Sequence, residues 1–208
     1  MGLVPMIVER EGSVERTYDP YSRLLKERVI MVEGEVNTQM ANIIVSQLLL
    51  LEMQDPDADI TMYINSPGGE VTAGLAITDT MDFISCDIRT VGIGLQASMG
   101  SFILASGTPG KRLALKRSSI MIHRLSGGQQ GDFHSMKSNF NHTEKLHEQL
   151  TRDYAKMSQG KKTYEEFVEL MRYDNWLSPQ EAVDCGIIDG VIDSRKDLEE
   201  LFSGDNNA

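Results

Sequence analysis

The sequence predicts an α/β domain built on a largely parallel sheet, with one long helix standing out from it. Three observations carry that expectation. Short β-branched runs alternate with longer helix-patterned segments through the first half of the chain, the arrangement that generates βαβ units. A single amphipathic run over about 132–158 is longer than a small core can use. The length of 208 residues, 40% of them hydrophobic, suits one domain with its own core.

The strand segments are RVIMV (28–32), ITMYIN (60–65), IRTVGIG (88–94), RLAL (112–115) and SIMIH (119–123). Between the first two, Met40, Ile43, Ile44, Leu48 and Leu51 follow the spacing of a helix that buries one face, ended by Asp55, Pro56 and Asp57. Ile77, Met81 and Ile84 mark a second helix, begun straight from Gly68 and Gly69. In the long run, Met136, Phe140, Thr143, His147, Leu150, Tyr154 and Met157 alternate in steps of four and three. Over roughly 27 residues at about 1.5 Å each it would reach about 40 Å, so part of it should protrude. A protruding apolar stripe needs a partner, and another copy of the chain is the simplest one. SQGKK then reads as a turn, TYEEFVELMRYD as a helix, LSPQEAVDCG as a helix closed by Gly186, and IIDGVI as a final strand. The tail SGDNNA is expected to be disordered.

Composition removes several function classes. The net charge of −11, from 31 acidic and 20 basic residues, repels phosphate backbones, and no Lys/Arg run is interleaved with aromatics. Nucleic acid is not an expected partner. The longest apolar runs, such as IIVSQLLLL, fall short of the roughly 20 residues of a membrane span, and MGLVPMIVER lacks the basic and apolar regions of a secretion signal. A soluble, cytoplasmic protein without membrane partners is expected. Cys86 and Cys185 form no C-x-x-C or metal pattern and read as packed, reduced thiols. His134, His142 and His147 all fall on the long helix without an H-E-x-x-H pair, so they read as solvated or interface residues and no metal is expected.

The chemistry-bearing candidates lie at strand ends. In GLQASMGSFILASG (94–107), Ser98 stands where a strand gives way to helix-compatible residues. It is either a helix cap or a nucleophile near exposed N–H groups. The stretch is not a G-x-S-x-G elbow, because Gln96 takes the first glycine position. NSPGG (65–69), after ITMYI, reads as a glycine turn: either simply a tight strand-to-helix connection, or one whose glycines let backbone N–H groups approach an oxyanion. His123 ends SIMIH beside the glycine-rich RLSGGQQG and could reach the neighbouring strand's end. The acid that would orient it is Asp174, Asp184 or Asp189, and the residues alone do not choose.

The chain closely resembles the proteolytic-subunit family of the Clp protease, the ClpP-like serine peptidases. The resemblance runs in order through LVPMIVE, YDPYSRLLKERVI, INSPGGEVTAGLAI, QASMGSFILASG, GKRLAL, MIHRLSGG and LSPQEAVDCGIID, nearly the whole chain. It implies a crotonase/ClpP-like α/β fold of stacked ββα units with a protruding handle helix at about 132–158. An N-terminal axial segment (1–19), a peptidase domain (20–194) and a C-terminal tail (195–208) go with it. Position by position it implies Ser98 as nucleophile, His123 as general base and Asp174 as orienting acid, with the backbone N–H groups of Gly69 and Met99 as oxyanion donors. The same resemblance implies that Gly68, Gly69, Glu70 and Val71, together with Arg124, Leu125 and Ser126, hold an extended substrate strand by main-chain hydrogen bonds. It further implies two heptameric rings stacked as a tetradecamer, fed with unfolded polypeptide by a hexameric AAA+ unfoldase. That unfoldase would dock near Tyr63 and Phe83, and the subunit itself would need no cofactor, since the unfoldase uses the ATP.

Two departures stand out. Where the family usually has GQAASMG this chain has GLQASMG, and where it has MIHQP this chain has MIHRL, so that Leu125 replaces a proline and regains a backbone N–H. They motivate an alternative, a catalytically impaired structural ring subunit that assembles with an active paralogue. A third reading, an acyl-CoA hydratase on a similar fold, is disfavoured because that chemistry uses carboxylates and needs no Ser/His pair.

Overall fold

In the computed structural model, residues 5–12, 14–128 and 130–202 are described. The chain opens with an antiparallel hairpin of β1 (Ile7–Glu11) and β2 (Val14–Tyr18), followed by α1 (Pro20–Lys26). Alternating elements come next: β3 (Val29–Val36), α2 (Thr38–Gln54), β4 (Ile60–Gly69), α3 (Val71–Phe83), β5 (Ile88–Ala97) and α4 (Met99–Ala105). Then come β6 (Arg112–Leu115), β7 (Ser119–Ile122), α5 (Phe133–Met157), α6 (Tyr164–Leu170), β8 (Asn175–Leu177), α7 (Pro179–Asp184), β9 (Gly190–Ile192) and α8 (Arg195–Phe202).

The expected α/β architecture is present. The sheet runs β3-β4-β5-β6-β9, all parallel, and β7 joins it parallel to the far end of β5. β5 therefore has two partners on one edge: Thr90–Gly92 pair with β6, and Leu95–Ala97 pair with β7. β8 closes the branch antiparallel to β7. The core lies between sheet and helices, around Ile30, Ile64, Leu48, Ile77, Ile103 and Phe167, all buried to within 2%. Side-chain caps define the helix starts. Asn37 accepts from the Met40 N–H at 2.9 Å to begin α2, and Ser178 with Glu181 forms a capping box on α7.

Several expectations need adjusting. β4 does not stop before NSPGG: Gly68 and Gly69 pair with Glu35 and Val36, because β3 itself continues to Val36 and offers a ladder. Glu70 and Val71 do not extend that strand, since Glu70 is the N-cap of α3 and its carboxylate accepts from the Thr38 N–H and hydroxyl. Arg124, Leu125 and Ser126 follow β7 and lie outside any strand or helix. α2 buries Ala41, Ile44, Leu48 and Leu51, whereas Ile43 is 53% exposed. The tail expected from 195 is helical as far as 202, since the Asp197 carboxylate accepts from the backbone N–H groups of Asp193 and Ser194 and starts α8. Residues 203–208, the SGDNNA segment expected to be disordered, and 1–4 of the axial segment lie outside the described residues.

The long helix divides in two. Leu150, Thr151 and Tyr154 of α5 are buried, with the Tyr154 ring stacked on Phe167 and edge-on to Phe102. Its first turns are solvated all round: 132–142 are exposed, including Phe133 and Phe140. Only the C-terminal half of the stripe finds core in this chain.

Candidate active site

Three strand ends converge. Ser98 follows β5, His123 follows β7, and Asp174 precedes β8. The β7–β8 ladder pairs Ile122 with Asn175, so its next step outward brings His123 opposite Asp174. His123 Nε2 lies 2.9 Å from Ser98 Oγ, and its Nδ1 lies 3.2 Å from Asp174 Oδ1. Both ring nitrogens are thus engaged, one by the hydroxyl and one by the carboxylate, which is the arrangement a general base requires.

This pairing chooses among the three aspartates. Asp189 is engaged elsewhere: its carboxylate accepts from Arg112 Nε at 2.9 Å, Nη2 at 2.6 Å and backbone N–H at 3.0 Å. Burial acts to raise its pKa, but those hydrogen bonds and the Arg112 charge outweigh it and hold the carboxyl below the ordinary value. Asp184 accepts from Gln180 Nε2 on its own helix.

Geometry also bears on the cap reading of Ser98. Ser98 occupies the N-cap position of α4 but makes no side-chain cap bond; its hydroxyl turns to His123 instead. Its backbone stands at φ 55°, ψ −123°, a conformation that L-residues rarely adopt and that costs on the order of 1–3 kcal/mol. Neighbouring bonds hold it there. The Ser98 N–H donates to Met121 O at 2.9 Å, and its carbonyl accepts from Ser101 N–H, Phe102 N–H and Ser101 Oγ.

The glycine segment of β4 packs directly on this turn. Gly68 has φ +90°, and a Cβ there would stand 2.7 Å from Ser98 Cβ and 2.9 Å from Met99 N, so only glycine allows the approach. Ser66, which the sequence reading passed over, fixes the segment: its Oγ donates to Gly34 O at 2.6 Å and accepts from the Gly68 N–H at 3.1 Å. A serine directly before Pro-Gly-Gly was the available signal. Met99 is the first residue of α4, where an N–H has no intrahelical acceptor.

His147 is not a solvated residue. It is half-buried and, with Ser98, His123, Leu125, Met99 and Leu150, lines a cavity of about 20 Å³ beside the hydroxyl. Burial, and then the Arg124 charge, lower its pKa. His134 and His142 are exposed on α5, as expected. Tyr63 is half-buried against Val91, Leu113 and Ile192, while Phe83 is 80% exposed at the end of α3. No group of three or more His, Cys, Asp or Glu suited to a metal occurs among the described residues, and none of their helices is long and apolar enough to cross a membrane.

Comparison with known proteins identifies the family. The family model described as Clp protease matches residues 11–195. A protein of Ligilactobacillus salivarius named ATP-dependent Clp protease proteolytic subunit is 48% identical over 202 residues, covering 96% of this chain and 100% of that protein. With a family match over most of its length and a full-length relative at this identity, the chain belongs to the Clp protease family.

Proposed function

We propose that this chain is the serine peptidase subunit of an ATP-dependent Clp protease, with Ser98, His123 and Asp174 as its catalytic triad. The observation that carries this is the continuous relay from Ser98 Oγ through both ring nitrogens of His123 to Asp174. His123 Nε2 takes the Ser98 proton as Oγ attacks the peptide carbonyl, and later delivers it to the leaving amine. Asp174 accepts from Nδ1–H, which fixes the tautomer and stabilises the imidazolium. The backbone N–H groups of Gly69 and Met99 receive the developing oxyanion, a pair in which one donor is typically worth about 10²–10³ in rate. Water then attacks the acyl-enzyme by the reverse path. No cofactor takes part.

Substrate enters as an extended strand between 68–71 and 124–126, held by backbone contacts that impose little sequence preference. Residues 20–194 act as one peptidase domain, with 1–19 as an axial segment. The exposed first half of α5 supports a second copy as its partner, and we assign it to the contact between two heptameric rings. A hexameric AAA+ unfoldase delivers unfolded polypeptide in the cytoplasm and docks near Tyr63 and the exposed Phe83. The assembled relay gives the impaired-subunit alternative no support.

The test is hydrolysis of a short fluorogenic peptide by the purified protein, with native mass measured on the same sample. Turnover by a tetradecamer, lost in Ser98→Ala, is the expected result. An assembled protein that leaves the peptide intact would overturn the proposal.

A further inference from the structure

The strands that carry the two sides of the oxyanion site are not in simple register. β4 and β5 pair one to one from Ile60 with Ile88 to Ile64 with Gly92, and the next pair is Ser66 with Gln96. Asn65 alone therefore faces Ile93, Gly94 and Leu95, and β5 gains two residues on β4. The gain decides which residue meets the nucleophile. Continued from Ser66 and Gln96, the register brings Gly68 beside Ser98, and the 2.7 Å approach of Gly68 to Ser98 Cβ agrees with it. In the register before the bulge, Ser98 would face Glu70 and the glycine pair would be out of reach.

A bulge leaves backbone groups without ladder partners, and buried ones must be satisfied some other way. Here two side-chain amides take that role. Gln96 Nε2 donates to Ile64 O at 2.8 Å and to Ile93 O at 2.7 Å, tying β4 to the bulged turn of β5. Asn65 Oδ1 accepts from the Leu95 N–H at 3.1 Å. Gly94, at φ +65°, makes the turn between them. Gln96 is fully buried, and its Oε1 meets no donor among the described residues. A buried acceptor without a donor is destabilising, so the amide is not explained by packing alone.

We propose that Gln96 is a positioning residue for peptide hydrolysis: its buried carboxamide locks the β4–β5 bulge and thereby sets the Gly68–Gly69 segment against Ser98 and Met99. It touches no substrate and acts through the oxyanion donors. The inference rests on Ser98 being the nucleophile. Loss of its two donated bonds frees Ile64 O and Ile93 O, the bulge relaxes, and the donors drift from the position of the developing charge. A displacement of about 1 Å at such a site costs about 10²-fold.

The variant to make is Gln96→Met, of similar length and without donors, in the full chain. The expected result is assembly as in the parent, kcat lower by about 10–100-fold, and KM within about threefold. Affinity for a peptide boronic acid, whose tetrahedral adduct occupies the oxyanion site, should fall by a factor similar to kcat/KM. The acid limb of the pH profile should stay in place, because the Gln96 side chain bonds to Ile64 O and Ile93 O and not to the His123–Asp174 pair. A kcat and boronate affinity within about twofold of the parent would overturn the inference, as would a kcat loss with boronate affinity unchanged. Should Gln96→Met fail to assemble, Gln96→Glu gives the answer. A buried glutamate can titrate as high as about pH 8–9, and its neutral form donates one bond again. Its activity relative to the parent should therefore rise as pH is lowered, and a flat ratio would overturn the inference. If the parent itself fails to hydrolyse peptide, the peptidase proposal fails; if the parent is active and Gln96→Met matches it, only the role of Gln96 fails.

Discussion

Asp189 and Asp174 each hold a cationic or basic partner, and their surroundings are opposite. Asp189 meets Arg112, whose side chain is 2% exposed, through three donors, and it also accepts from the Gly110 N–H at 2.8 Å. Among the described residues Asp174 makes one polar contact, to His123 Nδ1, and its side chain is 66% exposed. The first pair is over-determined and ties β6 to the segment leading into β9; Arg112 also donates to Met157 O at the end of α5. The second joins two strand ends, β7 and β8, at the surface. The same charge pattern thus occurs once with both carboxylate oxygens engaged and four donors in all, and once with a single contact among the described residues.

Substitutions should separate the two roles, and the largest effects belong to the relay. Ser98→Ala should lower kcat/KM for a fluorogenic peptide by about 10⁴-fold or more. Asp174→Asn should cost about 10²–10⁴-fold in kcat, while its thermal unfolding stays within about 2 °C of the parent, because an exposed single contact contributes little to stability. Arg112→Met should do the reverse. Removing the cation strands a partly buried carboxylate, and urea titration should report a loss of about 3–5 kcal/mol with peptidase activity per folded chain retained.

Much of this was legible in the sequence, and the failures have physical causes. The strand segments were correctly located because β-branched runs mark them, but their ends were not. NSPGG reads as a turn, and becomes strand only because β3 extends to Val36 alongside it. α1 carried a visible signal in Asp19 followed by Pro20, and Asp19 Oδ1 does accept from the Tyr21 and Ser22 N–H groups. β8, three residues long, has no period to detect, and it is the element that selects Asp174 over Asp184 and Asp189. Ser98 was visible as a residue at a strand end, but its rejection of the cap role depends on a positive φ that no composition encodes. Gln96 stood out as a departure, yet the bulge that gives it partners exists only once β4 and β5 are paired.

The smallest predicted effect is one of pH. The folded pKa of Asp189 lies below its ordinary value of 3.8, so its contribution to stability is fully present above that value and is lost as pH falls through the folded pKa. The stability difference between the parent and Asp189→Asn should therefore be constant from neutral pH to about pH 5 and shrink at more acidic pH, read by urea titration. A difference that stays constant down to pH 2–3 would place the role of Asp189 in shape alone.

The most direct test of the central claim is labelling of the assembled protein by a fluorophosphonate, with the modified residue located by mass spectrometry. The account predicts one adduct per chain, on Ser98, formed about 10²-fold or more slowly in His123→Ala and in Asp174→Asn. An unmodified Ser98, or a labelling rate indifferent to His123, would contradict it.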